Sequence, residues 1–220
     1  MVFVTLHTGH NNIYSYKGTR CGMKKTLIIL SVLLISSLAY AENAAEVLSG
    51  LNKVQSYTAD FIQKTEIEGF GSDTYSGRLY IKSRSRAFWD YQKPYRQFYI
   101  FDQTGMQFYD SEAKQLIRQQ LDPSTNAYMR LMMNPADIKK DFTATFNSTT
   151  GKLILAPAAK NTGIDSMVFT IKNGQITGIN TKDQNGNNTS IMFTNIKIDP
   201  QIPDSVFNPV IPKDTQIFSR

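Results

Sequence analysis

The sequence predicts a mainly β fold, in which an antiparallel meander closes into a barrel or a strongly curved sheet. Short segments rich in aromatic and β-branched residues recur roughly every ten residues, as in antiparallel barrels. Turn formers separate these segments, and Asn173-Gly174 is a strong signal for a two-residue hairpin. Apolar residues at helical spacing are confined to two intervals. A small α component is therefore expected beside the strands.

The beginning of the chain is organised like a cleavable signal peptide. Residues 23–41 comprise a start with two lysines, a short apolar stretch and the small-x-small pattern Ala39-Tyr40-Ala41. A retained membrane anchor is the alternative, although the apolar stretch is short for a bilayer span. Residues 1–22 are interpreted as an over-extended, unstructured start. We therefore expect export and a single mature domain over residues 42–220.

Removal of this segment changes the charge and the reactive groups of the protein. The net charge falls from +6 to +2, because four of the 24 basic residues and none of the 18 acidic residues lie in the first 41 positions. Both histidines and the single cysteine, Cys21, also lie there. A nucleic-acid partner is not expected, since no clustered basic face remains. Disulfides are excluded from the predicted mature chain.

The predicted mature chain lacks the residues of the common catalytic and metal sites. Without His or Cys it cannot form a Ser-His-Asp or Cys-His system, and it lacks the usual zinc ligands. A pair of carboxylates is arithmetically available for glycosidase-like chemistry, but the acidic residues are scattered singly. The segment 183–187 faintly resembles a calcium loop and is better interpreted as a turn. We therefore predict neither an enzyme nor a cofactor or metal site.

The first half of the predicted domain contains a helix followed by strands. Val47, Leu48, Leu51 and Val54 have the spacing of an amphipathic helix over residues 44–54. The period then changes to two, and a strand is predicted from Tyr57 to Glu66. Further strands are predicted over 78–82, 87–91, 97–101, 106–109 and 115–118.

The second half begins with short helices and returns to strands. Helices are predicted over 127–133 and from Asn134 to near Phe142. Strands follow over 143–147, 153–156, 167–172, 176–181 and 190–198. Four prolines between residues 200 and 212 predict a tail that runs extended along an edge of the sheet.

Large apolar residues occupy adjacent positions in several strands, as in Phe88-Trp89 and Phe98-Tyr99-Ile100-Phe101. Adjacent strand residues point to opposite faces, so both faces of this part of the sheet are apolar. One face can line the inside of a barrel, and the other needs a helix or a ligand to cover it. The methionine-rich segment 128–133 is typical of surfaces that adapt to varied apolar partners. These residues either fill the core or indicate a carrier of a hydrophobic ligand.

Several of these segments together resemble one known family. They are residues 57–63, the segment Gly77-Arg-Leu-Tyr-Ile-Lys82, residues 89–94, the hairpin 102–115, and residues 207–214. In order and spacing they are similar to the periplasmic outer-membrane lipoprotein carrier family, LolA, over nearly the whole predicted mature chain.

The resemblance implies an incomplete antiparallel β-barrel or curved sheet with a lid of short α-helices over an apolar cavity. It also implies a monomeric periplasmic chaperone-carrier for the acyl chains of lipoproteins. An inner-membrane ABC transporter would supply the lipoproteins, and an outer-membrane receptor would accept them. Two alternatives are a soluble envelope protein that binds phospholipid or an apolar small molecule, and a non-catalytic envelope interaction module.

One segment departs from the family pattern. The family usually has Arg-Pro after the lysine that corresponds to Lys82, and a Phe shortly before the Trp. Here the matching positions are Ser83 and Ala87, whereas Arg84 and Phe88 lie one place further along. A slip or bulge in the strand would allow Arg84 to act as the lid latch and Phe88 to line the cavity. Otherwise the lid is held differently.

The predicted acyl-chain site is a set of large apolar side chains from the strands and from the second helical interval. Its members are Phe61, Leu79, Ile81, Phe88, Trp89, Tyr91, Phe98, Ile100, Phe108, Leu131 and Met132.

Overall fold

One sheet of twelve strands organises the part of the chain that the computed structural model describes, which is residues 43–82, 85–102, 105–120, 133–158 and 164–219. The predicted signal peptide, the predicted helix up to residue 132 and Arg84 lie outside these residues. Residues 41–220 belong to one compact unit. None of the helices in the described ranges is both long enough and apolar enough to cross a membrane.

The elements of the first half are one helix and six strands. They are α1 (Ala44–Lys53), β1 (Tyr57–Ile67), β2 (Gly71–Lys82), β3 (Arg86–Lys93), β4 (Gln97–Phe101), β5 (Met106–Asp110) and β6 (Gln115–Gln119). The elements of the second half are β7 (Phe142–Asn147), β8 (Lys152–Pro157), β9 (Ile164–Lys172), β10 (Gln175–Asp183), β11 (Asn188–Ile198) and β12 (Gln216–Ser219). Two 3₁₀ helices, Asp137–Lys140 and Asp204–Phe207, interrupt this half.

The sheet consists of two meanders joined through β1. Its strand order is β12-β6-β5-β4-β3-β2-β1-β11-β10-β9-β8-β7. The central strand β1 is paired antiparallel with β2 on one side and with β11 on the other. All neighbours are antiparallel except β12, which is parallel to β6. Because β12 and β7 are the two edges, the sheet is open, and the predicted mainly β, curved architecture is confirmed.

Most predicted elements agree with the structure to within a few residues, but three differ. The strand β2 begins at Gly71 rather than at Arg78, because its polar first half pairs along β1 despite having little apolar signal. The interval from Asn134 to Phe142 contains only a 3₁₀ helix. The proline-rich tail includes a 3₁₀ helix, and only its end, β12, lies along an edge.

The helix α1 is stabilised at its start and buried along one side. The side chain of Asn43 accepts a hydrogen bond from the Glu46 backbone, and the Glu46 carboxylate accepts one from the Asn43 backbone. This capping box satisfies two amide groups that the helix leaves unpaired. Val47, Leu48 and Leu51 are buried against the sheet. We call the face of the sheet that α1 covers the inner face.

The sheet curves strongly toward the inner face. Trp89 on β3 and Phe193 on β11 are separated by three strand spacings, which correspond to roughly 14 Å in a flat sheet. Their ring centroids nevertheless lie 6.0 Å apart. The two meanders therefore wrap around a shared apolar interior, and we call its side chains the inner cluster.

The opposite, outer face carries a second apolar cluster, which the C-terminal tail covers. Its sheet residues are Phe88, Phe98, Ile100, Tyr109 and Leu116, and its tail residues are Ile202 and Phe207. We call this set the outer cluster. The tail thus performs on the outer face the covering role that α1 performs on the inner face.

Ionic contacts connect the tail to β2 and β3 beside the outer cluster. The Asp204 carboxylate accepts hydrogen bonds from Lys82 Nζ and from an Arg86 guanidinium nitrogen, each at 2.7 Å. The Arg86 guanidinium also lies 5.1 Å from the centre of the Phe207 ring. These contacts fix the 3₁₀ helix of the tail over the sheet.

Gly77 allows β2 and β3 to approach closely at a bulge. The register of the two strands shifts between Ser76 and Gly77. A Cβ atom at Gly77 would overlap with the carbonyl oxygen of Asp90, which belongs to the backbone of β3 and cannot rotate away.

We expect Gly77→Ala to reduce the free energy of unfolding by about 1–3 kcal/mol, because the added methyl group forces the two strands apart. Urea unfolding measures this change. Gly50→Ala is the matched control, since no atom lies within 4 Å of the added Cβ in the middle of α1. That variant should gain up to about 1 kcal/mol. Equal effects of the two substitutions would contradict the close approach of β2 and β3.

We expect the attachment of the tail to depend on the charge of Asp204. The hydrogen bond from Lys82, together with the charge of Arg86, holds the pKa of Asp204 below its ordinary value of 3.8. A depressed folded-state pKa stabilises the fold above the unfolded-state value, and this contribution is lost as the pH falls through the folded-state value. Asp204→Asn should therefore weaken the tail at pH 7, with a difference from wild type that shrinks below about pH 4.

Hydrogen-exchange protection of the Val206 and Asn208 amides, which both donate within the tail, measures this attachment. Asp73→Asn, at an exposed position of β2, is the control and should leave both protection factors unchanged. Unchanged protection in Asp204→Asn at pH 7 would show that other contacts hold the tail.

Candidate apolar binding site

A continuous row of apolar side chains crosses the inner face from the centre of the sheet to the β12 edge. The register pairs its members directly from strand to strand. We call this set the inner row, and its members are Ala59, Leu79, Trp89, Tyr99, Phe108, Ile117 and Phe218. Directly paired residues share a face, so the row forms one surface.

The side chains of the inner row change from buried at the centre of the sheet to exposed at its edge. Leu79 and Trp89, beneath the curve of the sheet, are 0% and 2% exposed. Tyr99, Phe108 and Ile117 are half-buried. Phe218, at the edge, is 43% exposed. The row therefore connects a dry interior with a surface that an apolar ligand can reach from water.

Aromatic contacts reinforce the middle of the row. The rings of Tyr99 and Phe108 are stacked with their centroids 4.6 Å apart. Phe61 meets Trp89 and Tyr91 edge-on, at 5.0 and 4.9 Å. Such pairs hold large rings in defined positions at little further cost in side-chain entropy. A ligand therefore meets a preformed apolar wall.

The inner face becomes polar toward the hairpin between β1 and β2. The Tyr91 hydroxyl donates to Gln63 Oε1 at 2.9 Å, and Gln63 Nε2 donates to Thr65 Oγ1 at 3.2 Å. The hydroxyls of Thr65 and Thr189 lie 3.3 Å apart. These side chains follow Phe61 along the same face of β1, so the apolar surface ends at a hydrogen-bonded polar border.

A small apolar pocket lies at the opposite end, beside α1. It is lined by residues that include Leu51, Ile81, Ile176 and Ile198, and its cavity volume of about 30 Å³ is too small for an acyl chain. The Tyr57 hydroxyl, also part of the lining, donates to the carbonyl oxygen of Ile176 at 2.8 Å. Burial raises the pKa of the Tyr57 hydroxyl above its ordinary value.

The structure divides the predicted acyl-chain residues between the two faces. Phe61, Leu79, Ile81, Trp89 and Tyr91 contribute to the inner cluster, and Phe108 extends it by stacking on Tyr99. Leu131 and Met132 lie outside the described residues. The role of these residues in binding stays a prediction.

Phe88, Phe98 and Ile100 do not join the others, because they belong to the outer cluster beneath the tail. The prediction that all of these residues line one cavity was wrong for these three, because their side chains lie on the other face of the sheet. Each is adjacent in sequence to an inner-face residue, and adjacent residues in a strand point to opposite sides. The aromatic pattern showed that both faces are apolar without distinguishing the inner one.

In the described residues of β2 and β3, the slip predicted near Lys82 is absent. The register of β2 and β3 is regular from Gly77 and Tyr91 to Lys82 and Arg86. Ala87 consequently occupies the buried inner-face position, and Phe88 stays outside. Phe88 therefore cannot substitute for the Phe of the family pattern. Arg84, the predicted lid latch, lies outside the described residues.

Tyr99, Ile117 and Phe218 are members of the row that the sequence interpretation missed. Tyr99 and Ile117 alternate with residues of the outer cluster, so the period of two would have revealed them once one inner residue was known. Phe218 follows a proline-rich segment and belongs to a four-residue strand that is parallel to β6. Local patterning carries little signal for such a long-range pairing.

The chemistry of this site is apolar. Among the described residues, no three His, Cys, Asp or Glu side chains lie close enough together to hold a metal ion. The row instead offers dispersion contacts and removal of apolar surface from water. What the arrangement can do is bind a long apolar group reversibly.

The chain is similar in sequence to one family of known proteins. The family described as outer membrane lipoprotein carrier protein LolA matches residues 52–210. An outer-membrane lipoprotein carrier protein of Pseudomonas fluorescens is 26% identical over 200 residues, which cover 88% of this chain and 96% of that protein. One from Ralstonia nicotianae is 28% identical over 151 residues, which cover 67% of this chain and 70% of that protein.

A solved structure shares the fold. It is a conserved protein from Thermus thermophilus, which is 15% identical to the chain with a TM-score of 0.53. The match covers 80% of this chain and 99% of that one. At this identity the likeness concerns the fold alone.

Proposed function

The chain belongs to the LolA family of outer membrane lipoprotein carrier proteins, and on this basis we propose that it is a periplasmic carrier of lipoproteins. It binds the acyl chains of lipoproteins released from the inner membrane and delivers them to an outer-membrane receptor. The curated relatives are named as outer-membrane lipoprotein carriers, which supports this assignment.

The observation that carries the proposal is the inner row with its gradient of exposure. A surface that is buried at Trp89 and half-buried at Tyr99 and Phe108 offers an acyl chain contacts that water does not. Each methylene that the protein removes from water contributes about 0.8 kcal/mol. Burial of the acyl chains of one lipoprotein would therefore favour binding, although the entropy lost when the chains become ordered offsets part of this free energy.

Release requires that the same surface be able to lose its ligand. Dispersion and hydrophobic contacts have no fixed direction, so a chain can be withdrawn along the row without breaking a specific bond. A receptor with a more apolar site would then take the chain by differential affinity. The proposed mechanism is non-enzymatic, consistent with the carrier name of the family.

The proposed partners follow from this role. An inner-membrane ABC transporter would load the carrier, and a separate outer-membrane receptor would unload it. The carrier acts as a monomer in the periplasm after its signal peptide has been removed.

We expect Tyr99→Glu to abolish most of the release of lipoproteins from spheroplasts. The carboxylate would stand in the half-buried middle of the row, where an unpaired charge strongly opposes contact with an acyl chain. The measurement is the amount of radiolabelled lipoprotein that purified mature protein extracts from spheroplasts, and a loss of at least roughly tenfold is expected.

Ile62→Glu is the matched control, because Ile62 is 47% exposed on the outer face of β1. This variant should release lipoproteins as well as wild type, and circular dichroism should show that both variants are folded. If Tyr99→Glu released lipoproteins as well as wild type, the inner row would not be the binding surface for acyl chains. A wild-type protein that releases no lipoprotein, and instead copurifies with phospholipid, would replace the proposed function with phospholipid binding.

A further inference from the structure

The edge strand β12 presents one apolar side chain to each face of the sheet. In the parallel pairing with β6, Ile217 lies opposite Leu116 and Phe218 lies opposite Ile117. Leu116 belongs to the outer cluster, so Ile217 points to the outer face. Ile117 pairs with Phe108, so Phe218 points to the inner face. Ile217 and Phe218 are 55% and 43% exposed.

The edge strand β12 is short, with four residues, but it carries no charged residue and no proline. Proteins commonly place charged residues or proline on such edges to prevent unwanted pairing. The strand Gln216-Ile-Phe-Ser219 contains neither. The inner-facing residues of β6 are Gln115, Ile117 and Gln119, which are also uncharged. An apolar group that crosses this edge on the inner side therefore meets no ionisable side chain on either strand.

The distance along the row suits one acyl chain. From β12 to β3 the row spans four strand spacings, or roughly 19 Å. A single chain fills half of the roughly 30 Å hydrocarbon thickness of a bilayer, so the two lengths are comparable. A chain whose tip rests against Trp89 would extend over most of this distance and would end near Phe218.

We infer that Phe218 forms the solvent-exposed end of the acyl-chain surface on the inner face, and that acyl chains enter and leave over the β12 edge. This inference rests on the proposed function. Phe218 and Ile117 make the first contacts with an incoming chain, which then advances along Phe108 and Tyr99 toward the buried end. The C-terminal strand thus contributes directly to ligand binding as well as to the sheet.

The test compares Phe218→Ala with Ile217→Ala, two truncations at adjacent and similarly exposed positions on opposite faces. The probe is a synthetic diacylated lipopeptide with a fluorophore on its peptide, added to the mature protein. Phe218→Ala should weaken binding about tenfold, as expected for the loss of a large part of one aromatic contact. Ile217→Ala should remain within about twofold of wild type.

Two further measurements separate ligand contact from stability. Phe218→Leu should restore most of the affinity, because it restores apolar area, and thermal unfolding should show similar stability for all variants. A photo-reactive benzoylphenylalanine at position 218 should cross-link to the lipopeptide, and one at position 217 should not.

The outcomes distinguish this inference from the proposed function. If wild type binds the lipopeptide and Phe218→Ala binds it equally well, chains do not pass the β12 edge, although the carrier role stands. Equal cross-linking at positions 217 and 218 would also overturn the inference. If wild type binds no lipopeptide, the proposed function fails and the inference fails with it.

Discussion

The alternation of side chains along a strand is the constraint on which this structure depends. In β3 and β4, large apolar groups occupy successive positions, so both faces of the sheet must be shielded from water. One sheet can curve around only one of its faces. The inner face is enclosed by the curvature and by α1, whereas the outer face depends on the tail. Ile202 and Phe207 fill this second role, and Asp204 anchors them to Lys82 and Arg86.

Local patterns in the sequence were sufficient to predict most strands and the helix α1. Alternation identified the strands near Trp89, and the apolar spacing at Val47, Leu48 and Leu51 identified α1. The polar beginning of β2 was not identified, because its residues become strand only by pairing with β1. The mainly β class and the family were therefore within reach of sequence alone.

The division of the apolar residues between the two faces could not be predicted from the sequence alone. Alternation shows that Phe88 and Trp89 point to opposite sides, but it assigns neither of them to the inside. That assignment depends on which face the sheet curves toward and on where residues from distant parts of the chain are placed. Phe218 illustrates the same limit, because its contribution arises from pairing with Ile117, which lies far earlier in the chain. Side chains that share a surface here are often remote in sequence.

The pairing of β1 with β11 also has a consequence for how the chain acquires its fold. The hydrogen bond between Asn195 and Asp60 spans 135 residues, so the two meanders cannot be joined until nearly the whole chain is available. Pairings of such long range form slowly, because the entropy of closing the loop is lost before the contacts are gained. The periplasmic role proposed above requires export, and an exported chain must stay unfolded while it crosses the inner membrane. A sheet whose central strand lacks a partner until most of the chain is available is suited to that requirement.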